Sequence, residues 1–328
     1  MMQSGLKVYL LLATAAGVSA AALLRLGRRR GGSKSAKGVR ADDPRVARPA
    51  TIAGPPPGTK KGVGMATGAP QKGKARASEA TRLRGGWEAR VAALRPSWFY
   101  SWGPGSPQVL ESAPPGVEFV PMVFGGKNLG RVRERVGAIR EQHAQGTCCA
   151  LLGFNEPDGH EQANMSVERA LEVWPELEAA GVLLGSPAAI KANRPWMAEF
   201  MAGAKLRGCQ VDFVTVHWYS GLSVENFVKH LHEVHEAYGL PIWITEFGVA
   251  DYKAKDLSCN RFTAEQVQDF MREVLPRLDA LDFVHRYAWF CFDQSSRVGH
   301  VSALFRADNT LTELGHIYAN HQAPTNTP

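Results

Sequence analysis

Pro241-Ile242-Trp243-Ile244-Thr245-Glu246-Phe247-Gly248 is an apolar run broken by a carboxylate. Such a run reads as a buried strand, and the glutamate at its end has just emerged from a core rather than from a solvated face. Helix-like patterns flank it at 224–238 and 263–278. Strand and helix alternating through short connections predict parallel βα units.

The same rhythm extends outward in both directions. Strand-like runs occur at 97–102, 118–124, 149–154, 182–186, 212–219, 241–246 and 284–292, with a weaker one at 301–305. Further helical patterns lie at 129–145, 166–180 and 195–207, the second with Ser166 placed as its cap and Gly181 closing it. Seven or eight such units, with no GxGxxG after any strand, predict an α/β fold of the closed (β/α)₈ TIM type rather than a doubly wound sheet. Barrel active sites lie at the C-terminal ends of the strands. A second glutamate stands at such an end, in Cys149-Ala150-Leu151-Leu152-Gly153-Phe154-Asn155-Glu156-Pro157. Glu156 and Glu246 follow the third and sixth countable runs. Two carboxylates converging on one barrel mouth are what glycoside hydrolysis requires: a proton donor and a nucleophile or base.

The 328 residues suffice for one barrel plus a tail. Residues 25–95 hold 18 Lys/Arg against 4 Asp/Glu, and residues 96–328 hold 19 against 27, so the net charge of +7 belongs to the tail. The acidic remainder argues against a nucleic-acid-binding face. Residues 1–24 carry one charge, Lys7, then an apolar stretch over 8–24 with Val18-Ser19-Ala20 as a small-x-small cleavage site. They read as a signal peptide or an uncleaved membrane anchor, hence a secreted, cell-wall or membrane-attached protein. The alternative is organelle import: nothing acidic precedes Asp42, and Arg25, Arg28, Arg29 and Arg30 follow the apolar run. Residues 25–87, rich in Gly, Pro and Ala, read as a disordered basic linker. The barrel is expected over 88–320, with 321–328 a flexible C-terminus and the protein a monomer. The five cysteines lack any C-x-x-C spacing; buried thiols are expected, with one disulfide left open.

Asn-Glu-Pro at one strand end and Thr-Glu-Phe-Gly three strands later resemble the retaining (β/α)₈ glycosidases of clan A. Residues 96–320 are similar to the alkali-sensitive-linkage-protein-like glycosyl hydrolases, glycoside hydrolase family 128, the endo-β-1,3-glucanases. The matching segments are Trp98-Phe99-Tyr100-Ser101-Trp102, Phe119-Val120-Pro121-Met122, Gly153-Phe154-Asn155-Glu156-Pro157, Gly185-Ser186-Pro187, Asp212-Phe213-Val214-Thr215-Val216-His217-Trp218-Tyr219, Ile244-Thr245-Glu246-Phe247-Gly248 and Tyr287-Ala288-Trp289-Phe290. The resemblance implies that Glu156 is the acid/base and Glu246 the nucleophile. It places them after strands four and seven, one more than the countable runs, so one strand is expected to be short or missing before Cys149.

Asn155 is the expected donor to the sugar 2-hydroxyl. His217 and Tyr219 share a strand face by period two and are expected, with Tyr100, to contact the substrate; the clan's pattern has Tyr219 hydrogen-bond the nucleophile. Trp102 and Trp289 are expected to stack on sugar rings, with Tyr100 on the same strand face as Trp102 and Trp98 deeper in the core. Trp243 is expected to pack against helices. His232-Glu233-Val234-His235, with His230 nearby, lacks the i, i+4 spacing of a metalloprotease helix and reads as a solvated face. Asn164-Met165-Ser166 is the one N-glycosylation sequon. The expectation is a retaining endo-glycosidase acting on β-glucan without metal or cofactor. A catalytically silent glucan-binding protein on the same barrel is the alternative, and a metal-dependent hydrolase built on the histidines a third reading.

Overall fold

A computed structural model describes residues 59–67 and 86–322. Eight strands, each followed by a helix, make up these residues. They run β1 Lys61–Gly64, α1 Trp87–Leu94, β2 Trp98–Tyr100, α2 Pro107–Glu111, β3 Glu118–Phe119, α3 Leu129–Ala144, β4 Ala150–Leu151 and α4 Val167–Glu178. Then come β5 Leu183–Leu184, α5 Pro195–Arg207, β6 Val214–Trp218, α6 Val224–Tyr238, β7 Ile242–Phe247, α7 Ala264–Asp279, β8 Val284–Phe290 and α8 Glu313–Asn320. Ser166, Ser223 and Thr263 cap the N-termini of α4, α6 and α7 with their hydroxyls, satisfying backbone donors that a helix start leaves free.

All strand pairs within the sheets are parallel. Six strands form one sheet in the order β3-β2-β1-β8-β7-β6, and β4 pairs with β5. Single parallel bridges, Met122 to Leu152 and Gly185 to Phe213, join the two sheets on either side and complete the ring. The ring narrows to bridges where Pro121, Gly153, Gly185 and Pro187 interrupt the ladder. A Cβ on Gly185 would sit 2.4 Å from the Phe213 ring, so this close approach needs glycine.

β1 corrects the domain boundary expected at residue 88. It lies within the stretch read as linker, and it supplies the strand the count lacked: Glu156 now follows β4 and Glu246 belongs to β7. No strand is missing. Lys61-Gly62-Val63-Gly64 carries little strand signal, because its stability comes from pairing with β2 and β8 on both sides. Two lysines fasten it. Lys60 donates to the carbonyls of Leu278, Asp279 and Leu281 at the end of α7. Lys61 donates to Tyr318, Ala319 and His321 at the end of α8. Cations there satisfy orphan carbonyls and meet the negative end of the helix dipole. Burial lowers the Lys61 ammonium to a pKa of about 8. Residues 1–58, with the expected leader and most of the linker, and the tail beyond 322 lie outside the described residues. Among the described residues no helix is long and apolar enough to cross a membrane.

Two apolar clusters fill the layer between strands and helices, one around β6, β7, β8 and their helices, the other around α3, α4 and α5. A third fills the ring itself with Trp98, Tyr100, Val120, Met122, Ala150, Leu152, Phe213, Trp243 and Ala288. Trp243 therefore does not pack against helices as expected: it stacks on Phe213 at 4.0 Å between ring centroids. The reason is a bulge. β6 pairs Val216 with Ile244 but His217 with Glu246, leaving Thr245 as an extra residue in β7. Strict alternation would send Trp243 and Glu246 to opposite faces. The bulge turns both inward, the re-aiming that bulges beside active sites perform. The weak run at 301–305 is not a strand but a 3₁₀ turn, His300–Ser302, with bridge residues after it. All five cysteines are unpaired; Cys148 is buried, whereas Cys149 and Cys259 are exposed, so the buried-thiol expectation holds only in part.

Candidate active site

Glu156 and Glu246 meet at the C-terminal mouth of the ring. One oxygen of each carboxylate and a ring nitrogen of His217 all lie within 4.8 Å of one another. His217, the β6 neighbour of Glu246, is fully buried between them. Its Nδ1 is 3.0 Å from Glu156 Oε1 and 3.5 Å from Glu246 Oε2. Burial opposes a charge on this imidazole, but Glu246 and the hydrogen bond to Glu156 outweigh it and raise its pKa above the ordinary value.

Three further donors converge on Glu246. The Tyr219 hydroxyl donates to Oε2 at 2.6 Å, and the Trp102 indole N–H donates to Oε1 at 2.8 Å. The Tyr100 hydroxyl reaches Oε1 at 3.3 Å and also the Thr245 carbonyl at 3.0 Å. Burial, with the nearby Glu246 charge, keeps both tyrosines protonated well beyond their usual range, so they stay donors. Glu156 lacks this ring of donors; His217 is its one side-chain partner among the described residues. The two carboxylates thus occupy different environments, one clamped and one freer.

Both Trp102 (φ 52°) and Glu156 (φ 39°) have left-handed backbones, which non-glycine residues rarely adopt. Strain of this kind persists where surrounding structure enforces it. In Glu156 the backbone N–H donates to Ala188 and the carbonyl accepts from Gly159, fixing the turn.

Above the carboxylates opens a cleft of about 320 Å³. Trp102, Phe124, Tyr219, Tyr252, Phe290 and Phe292 give it aromatic walls, and Asn155 and Gln162 give it polar ones. Asn155 lies at the expected place, its amide N–H₂ 3.4 Å from Gln162 Oε1 and its Oδ1 without a partner.

Three expected sugar contacts sit elsewhere. Trp289 is fully buried, its N–H bound to the Ser302 carbonyl and its ring edge against Phe247, because alternation along β8 turns it toward the helices. Phe290, one residue on, faces the cleft instead. Tyr100 and His217 are also fully buried, under the carboxylates rather than beside open space. Trp102 lines the cleft, but its N–H is engaged by Glu246. Phe124, Gln162, Tyr252, Phe290 and Phe292 were not legible as site residues. Of these, Phe124, Phe290 and Phe292 carried a signal, their place at the ends of the strand-like runs 118–124 and 284–292.

The helix histidines do not form a cluster. His235 stacks on Phe283 with its Nδ1 toward the Leu240 carbonyl, exposed His232 meets the edge of the same ring, and His230 is buried against Trp218. His230 therefore corrects the solvated-face reading. Among the described residues one group could hold a metal ion, Glu156 with His217 and Glu246.

The profile of the family described as glycosyl hydrolase catalytic core matches residues 85–318. Alkali-sensitive linkage protein 1 of Schizosaccharomyces pombe is 32% identical over 177 residues, 51% of this chain but only 32% of that protein, so the match spans about a third of that relative. Among solved structures, a mutant subgroup I family 128 endo-β-1,3-glucanase from Amycolatopsis mediterranei, in complex with laminarihexaose, is 32% identical. It aligns over 80% of this chain and 99% of its own with a TM-score of 0.63. A subgroup III curdlan-specific exo-β-1,3-glucanase from Blastomyces gilchristii, in complex with glucose, is 28% identical over 81% of this chain and all of its own, with a TM-score of 0.56.

Proposed function

This chain belongs to the glycosyl hydrolase catalytic core family and, within it, to glycoside hydrolase family 128; from that premise we propose that it is a retaining endo-β-1,3-glucanase. It is a glycoside hydrolase. The observation that carries the finer reading is the approach of the Glu156 and Glu246 oxygens to within 4.8 Å. Retaining enzymes hold their carboxyls about 5 Å apart, whereas inverting enzymes leave several ångströms more for a water.

In this reading Glu246, held by Trp102, Tyr219 and Tyr100, attacks the anomeric carbon while Glu156 gives its proton to the departing glycosidic oxygen. The bond to the leaving glucan breaks and an ester to Glu246 forms. Water then attacks the same carbon, Glu156 takes its proton, and Glu246 leaves as a carboxylate. The donors on Glu246 fix its orientation toward the sugar. His217 joins the two carboxylates and stabilises the negative charge that alternates between them. Asn155, at the cleft wall, supplies an amide to a substrate hydroxyl, and the aromatic walls take the apolar faces of the rings. A silent binding protein would have no use for three donors on one buried carboxylate.

The test is a panel of laminarin, mixed-linkage glucan, cellulose and chitin, with product anomers followed by NMR. Initial formation of the β-anomer from laminarin supports the proposal, and the α-anomer overturns retention. Oligosaccharides released from the chain interior support endo action, and glucose alone supports the exo mode of the subgroup III relative. Unchanged hydrolysis in Glu246→Gln removes the nucleophile assignment, and loss of hydrolysis on chelation supports a metal at the Glu156, His217, Glu246 group.

A further inference from the structure

Behind the catalytic wall lies a second cavity of about 320 Å³. Lys191 and Arg194 enter it from the loop between β5 and α5, Trp218 from the end of β6, and Lys229 and His230 from α6. The α6 contribution follows a single stripe: Asn226, Lys229, His230 and Glu233 are spaced i, i+3, i+4, i+7. That spacing ordinarily carries the apolar, core-facing edge of a helix. Here it is polar throughout.

The charges in this cavity do not balance. Three cations face one carboxylate, and Glu233 is already shared between the Asn193 amide and the Lys229 ammonium. Neither Lys191 nor Arg194 has an acidic partner among the described residues. The Lys191 ammonium lies 4.4 Å from the Trp218 ring centre and touches the Ser220 hydroxyl. Burial, and next to it the Arg194 charge, lower its pKa, so the two cations repel each other without a counter-charge. Two aromatic rings close the cavity from below: His230 is 5% exposed and Trp218 6%, with their ring nitrogens covered rather than open to it.

We propose that this cavity is a binding site for an oxyanion, taken as a free anion or as the acidic group of a monosaccharide. Lys191 and Arg194 supply the charge, Asn193 and Asn226 supply amides, and the rings of His230 and Trp218 form the buried floor. The volume suits a single charged sugar as well as a bare phosphate. Trp218 directly follows His217 in β6, so the site stands back to back with the catalytic imidazole. The proposal concerns binding and stands apart from the hydrolytic reading.

The test is isothermal titration calorimetry of the full chain with inorganic phosphate, glucose 6-phosphate, glucuronate and glucose. Saturable binding of the anions but not of glucose, weakening as salt is added, supports the site. A sugar phosphate or uronate that binds tighter than phosphate identifies an acidic sugar as the ligand; equal affinity identifies a free oxyanion. Lys191→Gln with Arg194→Gln should weaken binding about 100-fold, since each charged hydrogen bond lost is a factor of about ten or more. Arg133→Gln, at a surface cation paired with Glu176, should leave it unchanged. Saturation by none of the anions, or equal weakening by Arg133→Gln, overturns the proposal. Circular dichroism of each variant separates loss of the site from loss of the fold, and Lys229→Gln tests the same site from α6 should the double variant fail to fold.

Discussion

The indole N–H of Trp102 donates to Glu246 Oε1 at 2.8 Å, from a residue whose own backbone is left-handed. A tryptophan at a barrel mouth invites a reading as a sugar platform, yet its polar edge is committed to the carboxylate. Trp102→Phe keeps an aromatic face and deletes the donor. A hydrogen bond to a charged group is worth about 1.5–3 kcal/mol. The variant should therefore lose about 10–100-fold in kcat on laminarin, with KM changed less. A raised KM with kcat intact would make Trp102 a platform only.

Tyr219 and Tyr100 both donate to Glu246, but at 2.6 and 3.3 Å, and Tyr100 has the Thr245 carbonyl as a nearer partner. The shorter bond is the more strongly charge-assisted. Tyr219→Phe should cost kcat about ten-fold more than Tyr100→Phe. Equal losses, in steady-state kinetics of the two variants, would place the tyrosines on one footing.

His217 is raised because two carboxylates outweigh its burial. A raised histidine contributes stability that is full below its unfolded value near 6.5 and is lost as pH climbs through the folded value. Wild type should therefore exceed His217→Gln in urea-unfolding free energy by more at pH 6 than at pH 9. A pH-independent difference would mean the imidazole acts by packing alone.

The carboxylates were legible because each ends an apolar run, and a strand end is where barrel chemistry sits. The order of βα units was legible for the same reason of periodicity. Three things were not. Trp243 faces inward because of the Thr245 bulge, and a bulge leaves no mark in hydrophobic pattern. Trp289 and Phe290 differ by one position of register, which flips a side chain to the other face. β1 lay hidden among glycines and lysines, since its stability is borrowed wholly from neighbours.

That borrowed strand yields the sharpest test of the fold. Gly62 and Gly64 face the lumen, and a Cβ on Gly62 would stand 2.2 Å from the Trp98 indole. On Gly64 it would stand 3.0 Å from the Tyr100 ring and 3.1 Å from Trp102, two of the residues that hold Glu246. The glycines therefore leave room for the side chains that position the carboxylate, while Lys60 and Lys61 tie the strand to the ends of α7 and α8. Gly62→Ala should cost about 1–3 kcal/mol of stability through overpacking. Gly64→Ala meets softer contacts and should lower kcat more than it lowers the unfolding midpoint. Deleting residues 1–57 should leave folding and hydrolysis intact. Deleting through 66 should abolish both, because it exposes the paired edges of β2 and β8 and frees the carbonyls at two helix ends. Thermal unfolding with laminarin kinetics on the two truncations decides it, and an active, cooperatively folded 67–328 chain would show that β1 is dispensable.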